Sequence, residues 1–253
     1  MMVIIGVDKM LYELLLFLLA LLPVVLLGYL IYSKDSEKEP IKLLLKLFIG
    51  GILSAGLTLG VSYLLNQFFP DVLYHQGMSG ISLFIYTFFF VSLVEEISKF
   101  IVTYFISYHN REYDQFYDMI VYAVFIALGF AWIENLLYVY EGGFQIALLR
   151  GLVAVPTHVS VAVFMGYYLS LSKIADLNHD SSKIKYLLLS VLVPMILHGI
   201  YDYLIYSSNY FCVYLYYFFI IILYIRAYRK VMFSSLMRQN LIFHSFQKSS
   251  RKK

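Results

Sequence analysis

One cysteine, one tryptophan and five prolines are spread over 253 residues, and only 14% of the chain is charged. The lone Cys212 excludes an internal disulfide and any cysteine-based metal site. A soluble domain carries about a quarter charged residues, so the scarcity of charge excludes a large water-exposed surface. No internal repeat, low-complexity stretch or polar linker marks off a soluble domain. What fills the chain is apolar: 61% hydrophobic residues, a mean hydropathy of +0.77, and 25 tyrosines and 21 phenylalanines. The apolar residues come in runs of about 20, long enough to cross roughly 30 Å of hydrocarbon as helix. The aromatics suit interfacial belts and packing between spans. The first run, from about Met10 to Tyr32, is longer than the apolar region of a signal peptide and lacks a small-residue cleavage site after it. It reads as a retained anchor.

The expected fold class is therefore all-α, a polytopic transmembrane helix bundle of about seven spans. They are placed at about 10–32, 41–65, 81–107, 117–140, 150–172, 186–206 and 210–228, one domain over 1–230 with a basic tail over 231–253. Basic residues gather in alternate connections: Lys34, Lys38, Lys42 and Lys46 at the first, Arg111 at the third, Lys173, Lys183 and Lys185 at the fifth, then the tail. The opposite side holds Lys9 and Arg150. By the positive-inside rule the N-terminus is outside and the C-terminus cytoplasmic. In the second span Gly51, Ala55, Gly56 and Gly60 give small residues at helical spacing, which predicts a packing face.

Against this background some residues stand where lipid forbids them. The third span reads Val94-Glu95-Glu96-Ile97-Ser98-Lys99. Lys99 lies four residues after one carboxylate and three after the other, so it can neutralise one of them. The second must find another partner, bind a cation or take up a proton. The fourth span carries Glu134-Asn135 with no basic residue within a turn, so the partner of Glu134 must come from another helix. The fifth carries Pro156-Thr157-His158, and the sixth Pro194 followed by His198 and Asp202, which share a face. Prolines loosen backbone groups that neighbouring protein or water must satisfy. An Asp or Lys at a helix centre costs roughly 2.5–3.5 kcal/mol to insert, so these groups are expected to converge inside the bundle. At about 1.5 Å per residue, Glu134, His158, His198 and Asp202 fall in the outer half of the membrane. Interhelical glue accounts for one such residue, but six on four spans point to function.

Read in order, Glu95-Glu96-x-x-Lys99, Phe130-x-x-x-Glu134-Asn135, His158 and His198-x-x-x-Asp202 make the chain resemble the PrsW family of intramembrane proteases, relatives of the CAAX prenyl protease and bacteriocin-processing (CPBP) group. The first-loop segment Tyr32-x-x-Asp35…Glu39-Pro40 is also similar, and the likeness spans roughly residues 28–205. The CAAX proteases carry a histidine where this chain has Glu134 and an arginine one residue beyond Lys99, which argues against prenylated substrates. The resemblance implies an endopeptidase in a prokaryotic plasma membrane. It would cleave a single-pass membrane protein near its extracytoplasmic end, as in the release of anti-sigma factors.

Two schemes fit these residues. In a glutamic scheme without cofactor, Glu95 or Glu96 deprotonates a water held with His158, while His198 with Asp202 or Asn135 stabilises the oxyanion. In a metal scheme, Glu134, His158 and His198 ligate Zn²⁺ and a glutamate of the third span is the base. No HExxH-type pair is present. A transporter or receptor using the same cluster as a proton relay or ligand site is the competing class. Gly77-Met78-Ser79-Gly80 matches the GxSG of rhomboid serine proteases but lies in a short polar connection, and His75, His109, His179 and His244 read as solvated surface residues.

Overall fold

The computed structural model describes residues 2–70 and 78–237. Gly77 of the GxSG tetrapeptide, His75, His244 and the tail from 238 onward lie outside the described residues. Among the described residues the regular structure is helical: α1 (Met2–Lys34), α2 (Ile41–Phe68), α3 (Gly80–Ser107), α4 (Asp118–Leu149), α5 (Arg150–Leu177), α6 (Ser182–Tyr206) and α7 (Tyr210–Leu236). The last helix runs past the expected end of its span, so the start of the basic tail is helical.

Six helical segments are long and apolar enough to cross a membrane, and one of them, Asp118–Leu177, has 60 residues. Straight, it would measure about 90 Å. It reverses instead at Gly143, whose φ of 68° and ψ of −157° break the helix at a conformation that glycine reaches without strain. The reversal shows in its cross-contacts. His158 bonds Glu134, Ser170 bonds the Phe116 carbonyl, and an added Cβ on Gly166 would sit 2.6 Å from Ile120. Partners that recede along one strand as they advance along the other define an antiparallel pair. The stretch read from sequence as the connection between these two spans is itself helical apart from this break.

The first half of α4 is the axis of the bundle. Met119, Ile120, Val121 and Tyr122 are wholly buried, and a helix that is apolar all round belongs in a core. Helices α1, α2, α3 and α5 surround it, α6 packs on α5 and α3, and α7 closes against α5 and α6. The outward faces carry large apolar side chains such as Leu53, Phe105, Leu152 and Phe218. Contiguous apolar surface of that extent suits lipid, where backbone polar groups are satisfied within the helices.

The small-residue face of α2 is used only in part. Gly51 faces α4 so closely that an added Cβ would collide with the Ile126 carbonyl, and Gly129 meets the Phe48 carbonyl in the same way. Ala55 is buried beside them, whereas Gly56 and Gly60 have open space around them and pack nothing. The expected face is therefore corrected to its Gly51–Ala55 half. Backbone-to-backbone approach here lets α2 ride on α4. We expect Gly129→Leu to lose more than the roughly 1–3 kcal/mol of ordinary overpacking, because the obstacle is backbone. Gly56→Leu should leave thermal unfolding in detergent unchanged.

Candidate active site

The third helix reaches the site through an irregular stretch. Between Gly80–Ile85 and Leu93–Ser107 the chain forms a π-helix over Tyr86–Ser92. Such stretches widen the turn and re-aim the residues that follow, and they recur at functional sites. Thr87 and Ser92 help hold it, donating to the Leu83 and Phe88 carbonyls at 2.9 and 3.0 Å. Glu95 and Glu96 follow in the first turn after the stretch. A second π-stretch, Arg150–Ala154, precedes His158, next to Pro156, which has no N–H to give. The Val153 carbonyl there accepts from the Tyr224 hydroxyl of α7 at 2.8 Å.

These helices bring the sequence-selected side chains together. Glu95, Glu96, Lys99, Asn135, His158, His198 and Asp202 are buried, and Glu134 is partly so. Lys99 is the hub. Its ammonium donates to Glu96 Oε1 at 2.5 Å, stands 3.6 Å from Glu95 Oε2 and 3.5 Å from His158 Nδ1, and lies 4.5 Å from the centre of the Phe130 ring. Glu96 Oε1 also accepts from His198 Nδ1 at 2.8 Å. The other nitrogen of His198 faces Asp202 Oδ2 at 3.5 Å. His158 Nε2 donates to Glu134 Oε2 at 2.7 Å, and the two imidazoles stand edge to face with centroids 5.2 Å apart.

Three consequences follow for individual roles. His158 gives its Nε2–H to Glu134 and turns Nδ1 to the Lys99 ammonium, whereas His198 faces carboxylates from both nitrogens, Glu96 at Nδ1 and Asp202 at Nε2. Glu96 is held from two sides as a fixed anion. Glu95 is the opposite: its Oε2 is buried, with no hydrogen bond of ordinary geometry, and it lies 3.8 Å from His198 Nδ1.

Sequence reasoning missed the partner of Glu134. Arg150 reaches back across the Gly143 reversal, placing Nη2 3.0 Å from Glu134 Oε1 and donating from Nε to Asn135 Oδ1 at 3.3 Å, while its guanidinium stacks on Tyr138. The need of Glu134 for a cation from another helix was the signal, but Arg150 reads from sequence as an orientation charge. Asn135 has a second tie, donating to the Ala20 carbonyl of α1 at 3.3 Å. Its amide oxygen and one N–H are engaged, so it braces α1 and Arg150 from a buried position.

Donors suited to a metal also converge. Glu95, His158 and His198 each offer a ligand atom, all within 4.8 Å of one another. This set differs from the expected one by having Glu95 in the place of Glu134, which is taken up by His158 and Arg150. Two imidazoles and a carboxylate, with a second carboxylate behind each imidazole, is the arrangement that zinc sites use. Glu95 Oε2, which accepts no hydrogen bond, suits the set, and the Lys99 ammonium 3.6 Å away counts against it.

A cavity of about 470 Å³ opens onto this cluster. Glu134, Arg150, His158, His198 and Asp202 form its polar floor, and Tyr138, Ile146, Leu149, Val153, Ile205 and Val213 are among its apolar walls. Glu96 and Lys99 sit behind the histidines.

At the far end of α4 lies a second group of acids, Asp35, Glu39 and Asp118, each buried. Sixteen residues of helix, about 24 Å, separate Asp118 from Glu134. Burial first, then the carboxylates of Asp35, Asp114 and Glu112, push Glu39 up to about 7, against the Tyr122 hydroxyl that holds it down.

Helices of this kind around a carboxylate–imidazole centre define a polytopic membrane protein with a hydrolytic or proton-handling site inside its bundle. Residues 39–225 match the PrsW family of intramembrane metalloproteases. A Protease PrsW of Oceanobacillus iheyensis is 37% identical over 204 residues, covering 81% of this chain and 88% of its own. Those of Geobacillus kaustophilus and Bacillus subtilis are 34% and 30% identical, covering 74% and 72% of this chain and 77% and 78% of theirs. No solved structure matches the chain. The chain belongs to the PrsW family of intramembrane proteases, and it is an integral membrane protein.

The Arg150–Glu134 pair gives a direct check. Removing one partner of a buried pair costs about 3–5 kcal/mol, less here because both side chains keep roughly a fifth of their exposure. We expect Arg150→Met to destabilise the protein by about 2 kcal/mol, and a further Glu134→Gln to recover more than half of it in a double-mutant cycle of thermal unfolding.

Proposed function

We propose that this chain is an endopeptidase that cleaves a single-pass membrane protein near its extracytoplasmic end, with Glu95 at the centre of the reaction. The reading rests on one observation above others. Glu95 lies buried between the Lys99 ammonium and two imidazoles that carboxylates hold in place, and those imidazoles line a largely apolar cavity. Peptide-bond hydrolysis needs a base for the water, positive charge or N–H donors for the oxyanion, and an acid for the leaving amine. Glu95 is placed to take the proton of a water lying against His158, and Lys99 and Arg150 supply positive charge on either side. Glu96 and Glu134 set the orientation of His198 and His158. The apolar walls suit an unwound segment of a substrate helix and keep bulk water out.

Two ways of activating that water share these residues. In the glutamic one, Glu95 is the base. In the metal one, Glu95, His158 and His198 would hold Zn²⁺, which would supply Lewis acidity and lower the pKa of water. Glu96 and Asp202 would then orient His198, and Glu134 would steady His158. The family description favours the metal, and the ammonium of Lys99 close to Glu95 and His158 favours the glutamic scheme.

The topology belongs to the same proposal. The reversal at Gly143 supports seven crossings, and the alternation of basic connections supports an N-terminus outside and a C-terminus in the cytoplasm of a bacterial plasma membrane. The site then lies in the outer half of the bilayer. The substrate class, anti-sigma factors among them, and the kinship with the CAAX group are supported by the motif likeness alone.

The test is cleavage of a membrane-anchored anti-sigma factor with a labelled ectodomain in proteoliposomes. Glu95→Gln and His198→Ala should each lower the rate at least about 100-fold, in the range lost with a catalytic base, and undiminished cleavage would overturn the site. Metal analysis separates the two schemes. Stoichiometric zinc that is lost in Glu95→Gln and kept in Glu134→Gln assigns the metal. Full activity in zinc-free protein assigns the glutamic chemistry.

A further inference from the structure

The acids at the far end of α4 are not explained by hydrolysis. Asp35 and Glu39 belong to the connection between α1 and α2, and Asp118 opens α4. Their exposures are 4%, 5% and 1%, and each offers a carboxylate oxygen within 4.8 Å of the other two. A cluster of acids alone proves nothing, so the fate of each oxygen matters. Glu39 Oε2 accepts from the Tyr122 hydroxyl at 2.7 Å. Asp118 Oδ2 accepts from the amides of Asp114 and Gln115, at 3.0 and 2.6 Å. Both oxygens of Asp35 and the Oδ1 of Asp118 are buried and have no hydrogen-bond partner of ordinary geometry. The amides of Ser36, Glu37 and Glu39 act on Asp35 from nearby without closing on it.

Positive charge is short there as well. Lys38 is the neighbouring cation, yet its ammonium donates to the Tyr32 and Asp35 carbonyls at 2.6 Å each and lies against the Tyr32 ring. It reaches Asp35 through space only. Glu37, Glu112 and Asp114 add further negative charge around the group. Buried carboxylates with idle oxygens gain stability from a cation held among them.

We propose that Asp35, Glu39 and Asp118 bind a hard divalent cation, which clamps the α1–α2 connection onto the start of α4. The donor set is all oxygen, without imidazole or thiolate, and this selects Ca²⁺ or Mg²⁺ over zinc. Ca²⁺–oxygen bonds of about 2.3–2.6 Å keep any two ligands of one ion within about 5.2 Å, so a spacing of no more than 4.8 Å is compatible with Ca²⁺. Mg²⁺ sets the tighter limit of about 4.2 Å between ligands. The site is independent of the proposed peptidase chemistry and lies at the other end of the helix that carries Glu134.

Terbium binding to the full-length protein in detergent, after chelator treatment, tests it. Tb³⁺ takes oxygen ligands like Ca²⁺ and is excited through tyrosine, and Tyr122 touches the site. The wild type should give saturable emission that Ca²⁺ competes away. A chain with His158→Ala and His198→Ala should keep that emission, which separates this site from the catalytic one. Asp35→Asn with Asp118→Asn should weaken binding at least tenfold, and added Ca²⁺ or Mg²⁺ should raise the thermal midpoint of the wild type but not of this variant. Should that variant not fold, Glu39→Gln, which can still bond Tyr122, carries the same expectation. Equal emission in wild type and the acid variants overturns the proposal. So does a wild type that ignores both ions while Asp35→Asn raises its midpoint, since the carboxylates then share protons.

Discussion

Lys99 is buried to 2% exposure among apolar helices, and its ammonium is neutralised by Glu96 at 2.5 Å and Glu95 at 3.6 Å. A charge left alone in such surroundings is too costly to keep, so each member of the cluster must be met by another. Glu96 is shared with His198 of α6, His158 of α5 approaches the lysine from the opposite side, and Glu134 of α4 takes up His158. Four helices are thereby drawn to one point. The glycine contact between α2 and α4 is the apolar counterpart, since it lets the helix bearing Glu134 run down the middle of the bundle.

The cluster makes a chemical distinction between two adjacent carboxylates that composition cannot make. Glu95 and Glu96 are neighbours on one helix, but the turn between them sends Glu96 into a closed pair of donors and leaves Glu95 Oε2 without a hydrogen bond, 3.6 Å from the Lys99 ammonium. The two histidines are distinguished likewise, one oriented by Glu96 and the other by Glu134. Fixed anions that orient imidazoles, next to a more loosely held carboxylate, prearrange a site so that little must move when a peptide arrives.

Much of this was legible before any coordinates. Apolar runs and the cost of inserting charge are enough to give a helix bundle with Glu95, Glu96, Lys99, Glu134, His158, His198 and Asp202 turned inward, because hydropathy acts residue by residue. What could not be read depends on three-dimensional register. Arg150 looked like a topological charge since its partner is 16 residues away across a reversal whose angle only coordinates give. Asn135 looked available for chemistry, and only its bonds to Ala20 and Arg150 show it engaged. Gly56 and Gly60 share the spacing of Gly51, yet which side of a helix meets a neighbour is decided by the neighbour. The π-stretches left no signature in the sequence, and they rotate the very residues whose relative direction sets the ligand set.

The reversal at Gly143 bears also on how the protein enters the bilayer. Glu134, Arg150 and His158 lie within 25 consecutive residues and neutralise one another across a single hairpin. In α3 Lys99 lies against Glu95 and Glu96 within one turn, which leaves one carboxylate over. Contacts so close along the chain form early. The α4–α5 hairpin can therefore leave the insertion machinery as a unit compensated within itself, and α3 with one carboxylate to be met by His198 when the helices assemble. Biogenesis would then meet the charges in small, largely paired groups and never all at once.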